Sequence, residues 1–154
     1  MINNSIKLKT NKATIKSLIE NNENLKNSAW FNYLTEESKT YCYTVAKAKT
    51  INEGDLLYPD RDSNKFYFVI SGEFYILYKK DNNQKLIKSI SPGDFFSMRK
   101  DFENLYIYPK KKSLVFVLEK EELVKTFSLS PQSKGLIKEF FIEIATKLKN
   151  IMNK

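Results

Sequence analysis

The sequence contains no histidine. That absence removes the Ser-His-Asp triad, the Cys-His pair and every His-ligated metal centre, because each needs an imidazole as base or ligand. Metal-dependent enzymes of the cupin type, which share a rolled β architecture, are disfavoured on the same ground. Catalysis by carboxylates alone needs an acid and a base held as a pair. The 18 Asp and Glu residues are scattered, and no two stand at a spacing that marks such a pair. The reading is of a protein that is not an enzyme and has no metal or resident cofactor. Cysteine is nearly as scarce. Cys42 stands alone, so no internal disulfide can form, which fits a reducing compartment and makes the cytoplasm the expected location. Long apolar runs are missing too. Phe66–Ile70 and Phe74–Tyr78 are among the longest, far short of the roughly 20 residues that cross a bilayer. The opening stretch MINNSIKLKT lacks the apolar core of a secretory signal.

Arginine is the next shortage. Of 26 basic residues only Arg61 and Arg99 are arginine, against a net charge of +8. A surface selected for nucleic acid more often uses arginine, whose planar fork grips phosphate and stacks on bases. Abundant lysine and asparagine instead suit the codons of an AT-rich genome. A nucleic-acid partner is therefore not expected.

What is present is enough for one folded domain. The chain has 154 residues, 42% of them apolar and 14% aromatic, a size that buries a proper core. Residues 1–28 read as a polar helical extension, with Ile15, Leu18, Ile19 and Leu25 giving a sparse helical stripe over about 12–24. Thr35 is an N-cap with Glu36 and Glu37 in the first turn behind it. From Tyr43 to Leu118 the signals are those of short strands. They are a β-prone stretch to Ile51, then Leu56–Tyr58 closed by Pro59, then Phe66–Ile70 and Glu73–Tyr78 around Ser71-Gly72, read as a tight hairpin. After a turn at Asp81-Asn82-Asn83 comes Lys85–Ile90, then a turn at Ser91–Asp94. Leu105–Tyr108 and Ser113–Leu118 read as a last pair joined by Pro109–Lys112. Helices return at Glu119–Phe127 and after Ser130-Pro131, a start signal of N-cap and first-turn proline. The last helix, to about Ile151, carries Ile137, Phe141, Ile144, Leu148 and Ile151 on one stripe, widened by Leu136, Phe140 and Ala145. Evenly spaced strands between helical ends indicate a mainly β protein, a closed roll (29–128) between N-terminal helices and a C-terminal helix (129–154).

Several segments in this order resemble the cyclic-nucleotide-binding domain of catabolite activator proteins, protein kinase A regulatory subunits and gated channels. They are Trp30-Phe31-x-x-Leu34, Ile51-x-Glu53-Gly54-Asp55, Phe66-Tyr67-Phe68-Val69-Ile70-Ser71-Gly72-Glu73, Ile90-x-Pro92-Gly93-Asp94-Phe95-Phe96, and Ser113–Leu118 leading into Glu121-Glu122-Leu123. The resemblance covers residues 29 to 150 and implies a double-stranded β-helix, or jelly-roll-like β-roll. Gly54, Gly72 and Gly93 fall at its tight turns. A further family glycine is replaced where this chain has Pro59-Asp60, a position Asp tolerates better than most residues.

The resemblance further implies a regulatory module that binds a cyclic nucleotide or a similar small anion. Its phosphate-binding cassette would be Phe96, Ser97, Met98, Arg99 and Lys100. Phe74, Ile76 and Ile87 would wall the pocket, a role no better supported than plain core. The family's cassette reads Gly-Glu, then a short helix, then Arg. There the helix N-terminus and arginine hold the phosphate and the glutamate takes the ribose hydroxyl. This chain has Ser97-Met98 in place of Gly-Glu, no arginine at the matching place near Glu103 and Asn104, and a shorter segment. Losing one partner of a buried charged contact costs about 2–5 kcal/mol, or roughly one and a half to three and a half decades of affinity. Two readings therefore stand. Arg99 and Lys100, or Lys110–Lys112, present charge to a small anion; or the chain is a degenerate member that binds no cyclic AMP or cyclic GMP and serves as a protein-interaction or dimerisation module. The family's last helix often dimerises or moves on ligand binding, so the 131–151 helix is read either as a homodimer face or as packed along its own roll. A helix-turn-helix domain, as in a transcription factor, is not expected in the sequence as it stands.

Overall fold

The computed structural model describes residues 14–57 and 63–152. The predicted start of the first helix at 12–13, the end of the Leu56–Tyr58 strand, the Pro59-Asp60 turn and Arg61 lie outside the described residues.

The N-terminal stripe forms two short helices rather than one: α1 over residues 14–20 and α2 over Glu23–Lys26. Asn22 causes the break. Its side chain accepts from the Leu25 N–H and donates to the Ile70 carbonyl at 2.9 Å, so it caps a new helix while tying it to the sheet. A further turn, α3, spans Ala29–Asn32, and α4 spans Glu36–Val45. Thr35 caps α4 as expected, accepting from the Ser38 N–H at 3.1 Å. The predicted β stretch from Tyr43 begins later, because Tyr43–Val45 finish α4 and the strand opens at Lys47. The buried Cys42 and Tyr43 hold that last turn in one core with Ile15, Ile19, Leu25 and Phe68.

The strands are β1 (Lys47–Ile51), β2 (Lys65–Ser71), β3 (Phe74–Lys80), β4 (Asn83–Ile90), β5 (Phe95–Ser97), β6 (Leu105–Pro109) and β7 (Ser113–Glu119). They make two antiparallel sheets, β1-β7-β2-β5 and β4-β3-β6, followed by α5 (Lys120–Phe127) and α6 (Pro131–Met152). This is the expected roll with flanking helices.

Two pairings differ from the sequence reading. β2 and β3 are not a hairpin: β2 pairs with β7 and β5, and β3 pairs with β4 and β6. Gly72, at φ +98°, turns the chain out of one sheet and into the other. The corner is held by the Ser113 hydroxyl, which accepts from the Glu73 N–H and occupies the space a side chain on residue 72 would need. For the same reason β6 and β7 are not a pair, since their connection crosses between the sheets as well. Leu57 forms only an isolated bridge to Ile107 rather than a strand. The Asp81-Asn82 turn does close a hairpin, β3–β4, with Asp81 in the left-handed region at φ +55°.

Two cores result. Tyr67 and Val69 of β2 face the interior between the sheets, while Phe66, Phe68 and Ile70 face the N-terminal helices and α5. Burial on both faces explains why β2 reads as an unbroken apolar run. α6 lies along its own roll. Phe140, Ile144 and Leu148 are buried in the inter-sheet core, and Phe141 and Ile151 pack partly against it. Ala145 and Ile142 are exposed. Its start is anchored by the buried Ser133, whose hydroxyl donates to the Trp30 carbonyl at 2.8 Å.

Candidate functional site

The cassette segment leaves β5 and runs through turns, with no helix between Ser97 and Leu105. β5 is fixed by pairing with β2 in the register Phe66–Ser97, Tyr67–Phe96 and Phe68–Phe95. That register sends Phe96 inward, where it stacks on Tyr67 at 4.9 Å and 12° and meets Phe74 at 4.8 Å. The Ser97 hydroxyl turns back to the sheet and donates to the Lys65 carbonyl at 2.7 Å. Met98 is buried in the inter-sheet core together with Phe74, Ile76 and Ile87.

Past Met98 the chain turns outward and then in again. Arg99 donates twice to Asp101, Nε at 3.0 Å and Nη2 at 2.7 Å, and its guanidinium lies over the rings of Phe102 and Phe141. Phe102 drops back into the core. Asn104, at φ +63°, then reverses the chain, and its carbonyl accepts from the Lys79 N–H at 2.8 Å, setting the start of β6. Phe102 is the residue that sequence reasoning missed. A lone aromatic among Asp, Glu and Asn in a turn is its only signal.

The predicted residues thus divide. Phe96, Met98, Phe74, Ile76 and Ile87 come together inside the roll, with Phe102 and Leu148 beside them. Ser97, Met98, Arg99 and Lys100 line an open surface depression of about 610 Å³, completed by Ser63, Asn64, Phe66, Asp101, Lys120 and Phe141. Lys110–Lys112 are exposed in the β6–β7 connection and do not line it. Lys110 instead lies 3.5 Å from Glu73 and over the Tyr75 ring, and the Tyr75 hydroxyl and Glu73 carboxylate raise its pKa. Among the described residues no group of His, Cys, Asp and Glu could hold a metal ion.

No protein-family model matches the sequence, and no curated protein matches it either. Solved structures do match. The regulatory domain of Toxoplasma gondii PKA with cAMP superposes with a TM-score of 0.58 at 22% identity, covering 75% of this chain and 44% of that one. The cAMP-bound PfPKA-R structure gives 0.66 at 15% identity, covering 94% and 49%. The haem domain of CooA from Carboxydothermus hydrogenoformans gives 0.61 at 12% identity, covering 89% and 91%. The chain has the cyclic-nucleotide-binding fold. It spans less than half the length of the two PKA regulatory structures.

The segment after β5 is a turn braced by Arg99 and Asp101, with Phe102 buried in the inter-sheet core. A helix N-terminus offers an anion several unpaired N–H groups at once. Here the Phe102 N–H already donates to the Arg99 carbonyl, and the Glu103 N–H to that of Asp101. Haem, named for the CooA domains, is usually held by an axial histidine or thiolate. This chain has no histidine. Its one thiol, Cys42, sits in the helical core outside the sheets, where burial first and Glu122 second push its pKa up to about 12.

Proposed function

We propose that this protein is a regulatory module of the cyclic-nucleotide-binding fold whose roll is closed to cyclic AMP and cyclic GMP, and which acts through contacts with other proteins. The observation that carries this reading is Phe102, buried with Met98, Phe96, Phe74 and Leu148 where the ligand-binding cassette would stand open. A nucleotide entering there has to displace an aromatic side chain whose loss from a core costs about 3–5 kcal/mol. It would find neither the glutamate nor the arginine of the family's cassette. The arginine that is present, Arg99, already holds Asp101 with the Nε–Nη2 edge of its guanidinium. Titration calorimetry with cyclic AMP, cyclic GMP and cyclic dinucleotides tests the reading. No heat at millimolar ligand is expected, and a dissociation constant below about 100 µM for any of them sinks it.

A second reading rests on a separate observation: Arg99, Lys100 and Lys120 line one depression beside Ser97 and Asn64. Three cations around a concave surface suit a small phosphorylated anion bound outside the roll. Calorimetry with pyrophosphate at low salt tests this arm, and a Lys100→Glu, Lys120→Glu double variant that binds as well as the native chain refutes it.

A further inference from the structure

The sheet β4-β3-β6 has an outer face on which no described helix packs. The contacts of α6 with this sheet are with β4, and α2 and α5 pack on β2 and β7. Alternation puts Phe74, Ile76 and Tyr78 inward on β3 and leaves Tyr75, Leu77 and Lys79 outward. On β6 the outward residues are Tyr106 and Tyr108. Cross-strand register joins these into rows, with Tyr75 opposite Tyr108, and Leu77 between Tyr106 and the exposed Leu86 of β4. Lysines stand at both ends. Lys79 reaches the Tyr108 hydroxyl at 2.8 Å and lines a depression with Lys80, Tyr106 and Tyr108, while Lys110 lies over Tyr75.

Tyrosines and leucines at the centre with lysines at the rim is the anatomy of a protein interface, in which aromatic residues are enriched and the rim stays polar. The charge selects the occupant. A second copy of the chain would bring two lysine-rich patches together, because a two-fold contact uses the same surface on both subunits. Nucleic acid would meet aliphatic Leu77 and Leu86 where bases would stack. An acidic polypeptide meets neither objection. The ammonium of Lys79 lies at the Tyr108 hydroxyl and that of Lys110 over Tyr75, so both charges border the Tyr75–Tyr108 row.

Resting on the reading of the chain as an interaction module, we propose that this face docks an extended acidic segment of a partner protein. Its carboxylates would pair with Lys79 and Lys110, and an apolar side chain beside them would lie on Leu77, Leu86 and Tyr106.

The test uses the full chain, isotopically labelled, with three probes at 50 mM salt: a random glutamate–tyrosine copolymer, polyglutamate, and a twelve-residue oligo-dT. The copolymer should bind at least about tenfold more tightly than polyglutamate, with amide shifts confined to β3, β4 and β6. Lys79→Glu with Lys110→Glu should weaken it at least about tenfold, and Leu86→Asp, at an exposed position, should abolish the preference over polyglutamate. Equal binding of oligo-dT with the same variant sensitivity assigns the face to nucleic acid and overturns the proposal. Shifts elsewhere, no copolymer binding, or binding indifferent to the variants overturn it too. Cyclic-nucleotide calorimetry fails or succeeds independently, so a silent face leaves the closed roll standing, and a nucleotide-binding roll leaves this face to be judged on its own probes.

Discussion

Arg99 and Asp101 hold each other by two parallel hydrogen bonds, Nε to Oδ1 and Nη2 to Oδ2. Only Lys100 separates them in sequence, so the pair closes a tight loop. Both side chains are more than half exposed, at 52% and 61%. The pair therefore stabilises the fold by no more than about 1 kcal/mol. Its consequence is for ligands: the carboxylate neutralises the guanidinium beside the depression and takes two of its five N–H donors. Asp101→Asn should leave the urea midpoint almost unmoved and strengthen pyrophosphate binding several-fold at low salt. An unchanged affinity, read by calorimetry and by the Arg99 Nε–H resonance, would remove the depression as an anion site.

Phe102 makes the complementary prediction. Phe102→Ala should cost about 3–5 kcal/mol in urea denaturation, the range for emptying an aromatic site in a packed core. The space it opens lies beside Phe96, Met98 and Leu148, with no partner for a phosphate. The variant should therefore be less stable yet still silent toward cyclic AMP. Cyclic AMP binding gained by this one substitution would mean that the plug alone closes the roll and that the missing Gly-Glu and Arg matter little.

The sequence makes local features legible and leaves pairings obscure, and particular residues show why. Thr35, and Ser130 ahead of Pro131, each cap a helix through groups within three residues, so residue identity suffices. Ser97-Met98 could be compared position by position with the family's Gly-Glu. The partner of β2 could not be read, because the choice between β3 and β7 depends on Ser113, some 40 positions from the Glu73 whose amide it accepts. Phe102 escaped for the same reason: its burial depends on α6 and the inter-sheet core, not on its Asp and Glu neighbours.

The glycine turns offer a matched pair. Gly54 and Gly72 both have positive φ, +90° and +98°. A Cβ on Gly54 meets nothing within 4 Å, whereas on Gly72 it would overlap the Ser113 side chain. Gly54→Ala should cost about 1–2 kcal/mol from the left-handed backbone alone. Gly72→Ala should cost more by the work of moving Ser113 and breaking its bond to the Glu73 N–H, an added 1–3 kcal/mol or so. Equal losses for the two variants in urea would show that the Ser113 contact relaxes freely and does not hold the sheet-to-sheet corner.

Glu143 sets a pH dependence. Hydrogen bonding to Lys88 is the largest cause holding its carboxyl below the usual value of 4.5; burial opposes this, and the charges of Lys88 and Lys147 reinforce it. A carboxyl with a folded pKa below its unfolded one adds stability above the unfolded value, and that stability fades as pH falls through the folded one. With side-chain exposures of 30% for Lys88 and 37% for Glu143, solvent screening keeps the contribution below about 1 kcal/mol. Glu143→Gln should therefore lie slightly below the native protein in stability at pH 7, and the gap should close on acidification below about pH 4.5. A gap that persists unchanged to pH 3 would mean that the residue acts through packing on α6 rather than through its charge.

Cys42 tests the helical core outside the sheets. Its thiol is fully buried against the N-terminal helices and β2, and desolvation, with Glu122 nearby, pushes its pKa up to about 12. The thiolate is the reactive form, so at pH 8 the native chain should react with a disulfide reagent only as fast as this core opens. Adding urea below the unfolding transition should then speed labelling in step with the loss of stability, and full denaturation should make it immediate. Rapid labelling in native buffer would show that α1, α2 and α4 detach from the roll in solution and uncover β2.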